Sequence, residues 1–251
     1  MKYRFIDLFA GAGGLSEGFI RAGYEAIAHI EMDHYACDTL KTRAAFHYLK
    51  ENEKLDIYED YLKSKKEKTD GSWLWNQVPK HVIDSVIQEA IGKETLPSLF
   101  ERVDKLCNGK PIDIIIGGPP CQAYSVAGRA RLGKKIEEDP RNDLYKFYVE
   151  FLKRYRPKMF VFENVLGILT AKGGEPFRDL IRLVRELDYD IDFREQIASQ
   201  HGVLQKRHRV IIVGWQNKRD TQENTSYHYP YLLEEQMPYK IMKDLFCDLP
   251  I

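Results

Sequence analysis

Apolar and polar positions alternate along the chain in two distinct rhythms, and the first is set within a few residues of the start. Phe5 to Phe9 is a short apolar run that ends in a glycine cluster, followed by an amphipathic stretch from Leu15 to Ala22, which predicts strand, tight turn and helix. A second strand is expected from Ala26 to Ile30, ending at Glu31, and helical periodicity returns from about His34 to Leu49. Between Lys50 and Lys110 charged residues dominate. Helical spacing recurs in patches such as Val82 to Ile91 and Leu99 to Leu106, without a strong strand signal, so this segment is expected to be a helical insertion. The β-rich run Ile112 to Ile116 leads into Gly117-Gly118-Pro119-Pro120 and a polar loop, with a helix starting near Asn142. A strand from Met159 to Phe162 ends at Glu163, a helix spans Pro176 to Leu187, and the strand-like runs Ile191 to Ala198 and Arg209 to Trp215 are spaced as an antiparallel hairpin.

Strands alternating with helices predict an α/β fold with a doubly wound, mostly parallel sheet, a terminal hairpin and the helical insertion. Ligands of such sheets bind beyond the carboxyl ends of the strands, where the glycines and acids of this chain fall. Residues 1–215 form the expected catalytic domain, with the insertion at 50–110, and 216–251 a tail of loop plus a short helix around Met242 to Phe246.

The chain has 251 residues, 43% of them hydrophobic, enough to bury a substantial core. Thirty-eight basic residues balance thirty-eight acidic ones, so any nucleic-acid contact must be local rather than the work of a global positive field. The cysteines Cys37, Cys107, Cys121 and Cys247 stand singly, which argues against a zinc ribbon, a disulfide framework or any metal site and fits reduced cytoplasmic thiols. The start carries no signal-type apolar region, and no stretch is long enough to span a bilayer. The expectation is a cytoplasmic protein with no membrane partner.

Four short blocks carry chemistry. Asp7-Leu8-Phe9-Ala10-Gly11-Ala12-Gly13-Gly14-Leu15 is a glycine turn that lets a ligand approach the backbone, but Ser16 stands where a dinucleotide fingerprint needs its third glycine. Glu31, at the end of the second strand, is placed to accept hydrogen bonds from both ribose hydroxyls of an adenosine-containing cofactor; a structural turn with a helix-capping acid would read the same way. Pro119-Pro120-Cys121-Gln122 follows a buried strand, so the prolines fix the backbone while the thiol of Cys121 is presented at the sheet edge. Lone cysteines are more often inert core residues. Phe162-Glu163-Asn164-Val165 puts another carboxylate at a strand end, where a solvated cap is the plainer reading. In Gln205-Lys206-Arg207-His208-Arg209 the two arginines alternate into the last strand and should share a face, unless this is merely a solvated strand start.

In this order the blocks resemble the cytosine-5 DNA methyltransferases, whose F-x-G-x-G-G, P-C-Q, E-N-V and Q-x-R-x-R patterns match from Phe5 to Trp215. The resemblance implies a class I, Rossmann-like fold dependent on S-adenosyl-L-methionine. It implies that Cys121 adds to cytosine carbon 6, that Glu163 in its protonated form hydrogen-bonds the ring nitrogen and exocyclic amine, that Arg209 contacts the carbonyl oxygen and that Arg207 supports the same pocket. The implied cofactor set is Asp7, Phe9, Ala10, Gly11, Gly13, Gly14, Leu15, Glu31, Met32, Gly118, Pro120 and Leu144. Double-stranded DNA is the implied substrate, its base flipped from the stack, and the loop with Arg129, Arg131, Lys134 and Lys135, with Gly128 and Gly133 as hinges, is suited to closing over it and gripping phosphates, unless it is an ordinary solvated loop.

Three departures from the pattern stand out. Met32 occupies a position where the family often carries an aromatic beside adenine. The third-strand acid has only Glu89 as a candidate. Neither a target-recognition region nor a terminal G-N-x-V-P-like block is found before Ile251, which leads to the expectation of a C-terminal remainder or second subunit carrying target recognition. A bacterial restriction–modification methyltransferase is the leading reading. A tRNA cytosine methyltransferase and a non-catalytic scaffold of the same fold are the alternatives.

Overall fold

The computed structural model describes residues 2–64, 71–120, 143–217 and 229–230, so the tail helix expected around Met242 lies outside the described residues. The chain divides into two compact units, residues 1–120 with 140–161 and residues 121–139 with 162–251.

In the first unit β1 (Arg4–Leu8) is the centre, buried at all five positions, as expected of a parallel strand covered on both faces. It pairs in parallel with β2 (Glu25–Glu31) on one side and β4 (Ile114–Gly117) on the other, and β2 pairs in parallel with β3 (Val86–Gln88). The strand order in this unit is β3-β2-β1-β4-β5, with the start of β5 (Met159–Asn164) at its far edge. The helices α1 (Gly14–Arg21) and α2 (His34–Glu51) follow β1 and β2 as the apolar spacing predicts, and Asp33 caps α2 by accepting from the Ala36 amide at 2.8 Å. The helix α7 (Leu144–Tyr155) begins close to the expected Asn142, and its Tyr148 hydroxyl lies 3.0 and 3.1 Å from the carbonyl oxygens of Ile115 and Val161, tying β4 to β5.

The segment expected to be a helical insertion is only partly so. It contains α3 (Leu55–Lys63), α4 (Ser72–Trp75), α5 (Lys80–Asp84) and α6 (Leu96–Cys107), but the patch from Val82 to Ile91 breaks after α5 and gives strand β3. Val86 and Ile87 are buried beside β2, and pairing with that strand overrides a helical rhythm too short to be decisive. The helices before β3 form a core of their own. Ala45, Leu49, Leu74 and Val78 are buried beneath Tyr58, Tyr61, Trp73 and Trp75, and the Trp75 indole donates to Thr42 Oγ1 at 3.2 Å.

In the second unit the order is β5-β7-β6. The expected hairpin is present as β6 (Tyr189–Ile197) antiparallel to β7 (His208–Gln216), in register from Tyr189↔Gln216 to Ile197↔His208. The strand ends differ from the expected runs by one or two residues; β7 starts at His208, so Arg207 directly precedes the strand that carries Arg209. Between β5 and β6 runs α8 (Glu175–Glu186), which buries Leu180 and Val184 and sets the Phe177 ring edge-on to Phe193 at 4.9 Å.

Candidate active site

The glycine turn is built on backbone that L-residues rarely adopt. Phe9, Gly11 and Gly13 have φ of 57°, 53° and 81°, three left-handed residues alternating along the turn. Gly13 cannot be replaced without a shift, since a Cβ there would stand 2.9 Å from Leu40 Cδ2. The turn is tied to the end of β2 from both sides. The Ala10 amide donates to the Ile30 carbonyl at 3.1 Å, and the Gly11 amide donates to Glu31 Oε2 at 2.8 Å. Glu31 Oε1 in turn accepts from the Met32 and Asp33 amides at 2.8 and 2.9 Å. Three amides thus aim one carboxylate from the strand end toward the turn, with acceptor capacity left on Oε2.

Around this acid opens a mainly apolar cavity of about 480 Å³ in the first unit. Of the residues expected to hold the cofactor, Phe9, Glu31, Met32, Gly118, Pro120 and Leu144 line it. The others lie elsewhere. Ala10 packs with Cys37, Leu40 and Val86, Leu15 packs against Phe5, Ile114 and Ile116, and Gly11, Gly13 and Gly14 shape the turn without lining the cavity. Asp7 is buried, its Oδ2 3.7 Å from Nδ1 of the equally buried His29, and neither atom has a hydrogen-bond partner. It stands beneath the turn, not among the lining residues. Glu89 does line the cavity, and its amide donates to the Glu31 carbonyl at 2.9 Å. That places it at the end of β3, the strand the periodicity missed. Ile30, Ala90, Ile91, Gly92, Lys93 and Phe147 also line the cavity. Ala90, Ile91, Gly92 and Lys93 follow the end of β3 directly, so their place in the cavity becomes readable once that strand is recognised.

At the end of β4 the backbone passes very close to β1. Gly117 has φ of 150°, and a Cβ on it would lie 2.2 Å from the Leu8 carbonyl oxygen, so only glycine fits where the chain turns into Gly118-Pro119-Pro120. Cys121 and the basic loop after it, including Arg129, Arg131, Lys134 and Lys135, lie outside the described residues.

The second unit brings two of the sequence blocks together. Glu163, near the end of β5, has Oε1 2.5 Å from Arg209 Nε and 3.9 Å from Arg207 Nη2. Arg209 also donates from Nη1 to the His208 carbonyl at 2.7 Å, which fixes its guanidinium beside the acid. The adjoining Asn164 is buried and accepts from the Val165 amide at 2.9 Å, closing the backbone after the strand. Glu163 and Arg209 are both partly accessible, with 29% and 21% of their side chains exposed, so the pair can be reached by a ligand.

Comparison with known proteins identifies the family. The family described as C-5 cytosine-specific DNA methylase matches residues 3–71 and 91–248, leaving out 72–90, where α4, α5 and β3 lie. The type II methyltransferase M.Bpa9945I of Bacillus paralicheniformis is 32% identical over 98% of this chain and 60% of its own length. M.AgeI of Thalassovita gelatinovora is 35% identical over 83% of this chain and 38% of its own. M.AquIA of Picosynechococcus is 27% identical, and the match spans all of this chain and 90% of that protein. Among solved structures, a protein described as a DNA modification methyltransferase encoded within an E. coli prophage superposes with a TM-score of 0.60 at 26% identity, over 99% of this chain and 56% of that one. The Entamoeba histolytica methyltransferase EhMeth shares the fold, with a TM-score of 0.55 at 16% identity over 94% of this chain and 58% of that one. The chain spans 60%, 46% and 55% of the length of the first three curated relatives it matches. With its class I methyltransferase fold and a family match that runs through nearly all of its length, the chain belongs to the C-5 cytosine-specific DNA methylases.

Proposed function

We propose that this chain transfers a methyl group from S-adenosyl-L-methionine to carbon 5 of cytosine in double-stranded DNA, as the modification arm of a bacterial restriction–modification system. The observation that carries the reading is the convergence of Arg209 and Arg207 on Glu163, which joins the E-N-V and Q-x-R-x-R blocks around one carboxylate. A carboxyl group flanked by guanidinium donors suits a cytosine edge, which offers a ring nitrogen and an exocyclic amine beside a carbonyl oxygen. The type II methyltransferase relatives support the DNA substrate.

The first-unit cavity fits an adenosyl cofactor, with an amide-held acid at Glu31 for the ribose and apolar surface from Phe9, Ile91 and Leu144. When bound, that cofactor supplies an electrophilic methyl on a sulfonium. On the protein side, the Cys121 thiolate adds to carbon 6 of the flipped cytosine and forms a C–S bond. Glu163 stabilises the adduct at the ring nitrogen and amine, while Arg209 holds the carbonyl oxygen. Carbon 5 becomes enamine-like and would take the methyl as the sulfonium's C–S bond breaks and S-adenosylhomocysteine is left as a thioether; loss of the carbon-5 proton to a water or hydroxide base then expels the Cys121 thiolate and restores the aromatic ring. Arg207 supports Glu163 from the start of the hairpin. Among the described residues no helix is long and apolar enough to cross a membrane. The bacterial methyltransferase relatives support a cytoplasmic location.

The test is transfer of labelled methyl from S-adenosyl-L-methionine to mixed genomic DNA and to tRNA, with Cys121→Ser as control. Label in DNA cytosine that disappears with Cys121→Ser supports the reading. Label in tRNA alone moves the substrate to RNA, and no transfer to either despite cofactor binding leaves a scaffold.

A further inference from the structure

Phe147 is an aromatic side chain in the cofactor cavity with no assigned part. It lies three residues after Leu144 on α7, on the same helix face, and both line the cavity. Its neighbours on the helix commit their rings to the core: Tyr148 meets Phe160 edge-on at 6.2 Å between centroids, and Phe151 meets Phe100 at 5.0 Å. Phe147 is half-buried and forms no ring pair among the described residues. A phenylalanine turned away from the core into a ligand cavity keeps apolar surface in water until a flat group covers it. Met32, where the sequence pattern leads one to look for such a ring, lines the cavity but is 65% exposed and has no π face to offer.

We propose that Phe147 supplies the aromatic surface on which the cofactor's adenine stacks, in place of a ring at position 32. The inference rests on the cofactor reading above and goes beyond it by naming the residue that recognises the base. Phe9, Ile91 and Leu144 line the same cavity, so adenine stacked on Phe147 would also meet the Phe9 ring from the glycine turn and two aliphatic side chains. Stacking of this kind tolerates any aromatic ring at position 147 and fails with an aliphatic one of similar volume.

The experiment is calorimetric titration of the 251-residue chain and its Phe147 variants with S-adenosylhomocysteine, each variant first checked for an unchanged ligand-free melting curve. Phe147→Ala is expected to bind about tenfold more weakly and Phe147→Leu about fivefold more weakly, while Phe147→Tyr and Phe147→Trp stay within about twofold of the unaltered chain. In Phe147→Trp the new indole should be quenched by the ligand beyond the change seen from Trp73, Trp75 and Trp215, a contact signature that a merely structural residue would not give. Phe147→Ala binding as tightly as the unaltered chain overturns the proposal, and so does full affinity in Phe147→Leu. Failure of the unaltered chain to bind at all strikes instead at the cofactor reading on which the proposal rests.

Discussion

Glu163 and Arg209 meet at 2.5 Å while Arg207 stands off at 3.9 Å, so the two arginines are not interchangeable. Arg209→Ala removes the close guanidinium and should lower methyl transfer by about a hundredfold or more; Arg209→Lys keeps the charge without the planar fork and should cost about tenfold. Arg207→Ala should be milder than Arg209→Ala, and an equal loss from both in single-turnover assays would contradict the geometry. The cysteines divide as sharply. Burial pushes the Cys37 thiol up to about 11, with the nearby Glu31 charge acting in the same direction, and burial likewise raises Cys107. Both are therefore almost wholly thiols at neutral pH and poor nucleophiles. Iodoacetamide at pH 7.5 followed by peptide mass spectrometry should leave Cys37 and Cys107 unmodified in the folded chain and modify both in urea. Rapid labelling of either in the native state would show that the helices covering it open readily.

At the scale of elements, β4 passes close to β1 at Gly117. Gly117→Ala would drive a methyl group to 2.2 Å from the Leu8 carbonyl oxygen and 3.0 Å from its carbonyl carbon, a clash with main chain. The substitution should cost about 3 kcal/mol or more, read as a lowered urea midpoint. Between α1 and α2, Glu17 accepts from Arg21, Arg43 and His47 at 2.6, 2.5 and 2.8 Å. Burial works to raise its pKa, but the His47 and Arg21 hydrogen bonds with the His47 and Arg43 charges outweigh it and hold the group at about 2 against an ordinary 4.5. A depressed carboxylate pKa stabilises the fold above the ordinary value, and that contribution is lost as pH falls from 4.5 toward 2. Glu17→Gln should lower stability by about 1 kcal/mol at pH 7, a gap that closes through this window; a constant gap from pH 7 to pH 3 would rule the network out as its origin. Elements with a sustained pattern were legible in the sequence: the largely apolar β1, the glycine turn, α2 and the β6–β7 hairpin. β3 was not, because three residues hold too few periods to tell strand from helix, and only pairing with His29 to Glu31 decides the matter. With β3 unseen, Glu89 could be named as a candidate acid only through the family resemblance, and Ile91 was not placed in the cavity. Phe147 was hidden for a different reason, since an apolar residue on an amphipathic helix gives no sign of facing a cavity instead of a core.

For the molecule as a whole, balanced charge makes a specific demand on DNA binding. Thirty-eight basic residues against thirty-eight acidic ones give a formal net charge of zero, so no diffuse field holds a polyanion and the affinity must come from a few placed cations. The obvious concentration is Arg129, Arg131, Lys134 and Lys135, directly after Cys121 in sequence and interrupted by Gly133. If these four make the phosphate contacts, the logarithm of DNA affinity should fall with the logarithm of salt concentration with a slope no steeper than about −3.6, the value for four released counterions. Replacing all four by alanine should flatten that slope nearly to zero and weaken binding alike on every duplex, because phosphate contacts carry no base information. Cofactor affinity should be unchanged, since Phe9, Glu31, Met32, Glu89 and Phe147, which line the first-unit cavity, are all retained. Fluorescence anisotropy across a salt series, paired with S-adenosylhomocysteine titration of the same variant, separates the two effects. A slope that stays near −3.6 after the replacement would assign DNA contact to other basic residues and leave the loop with closure over the base as its remaining role.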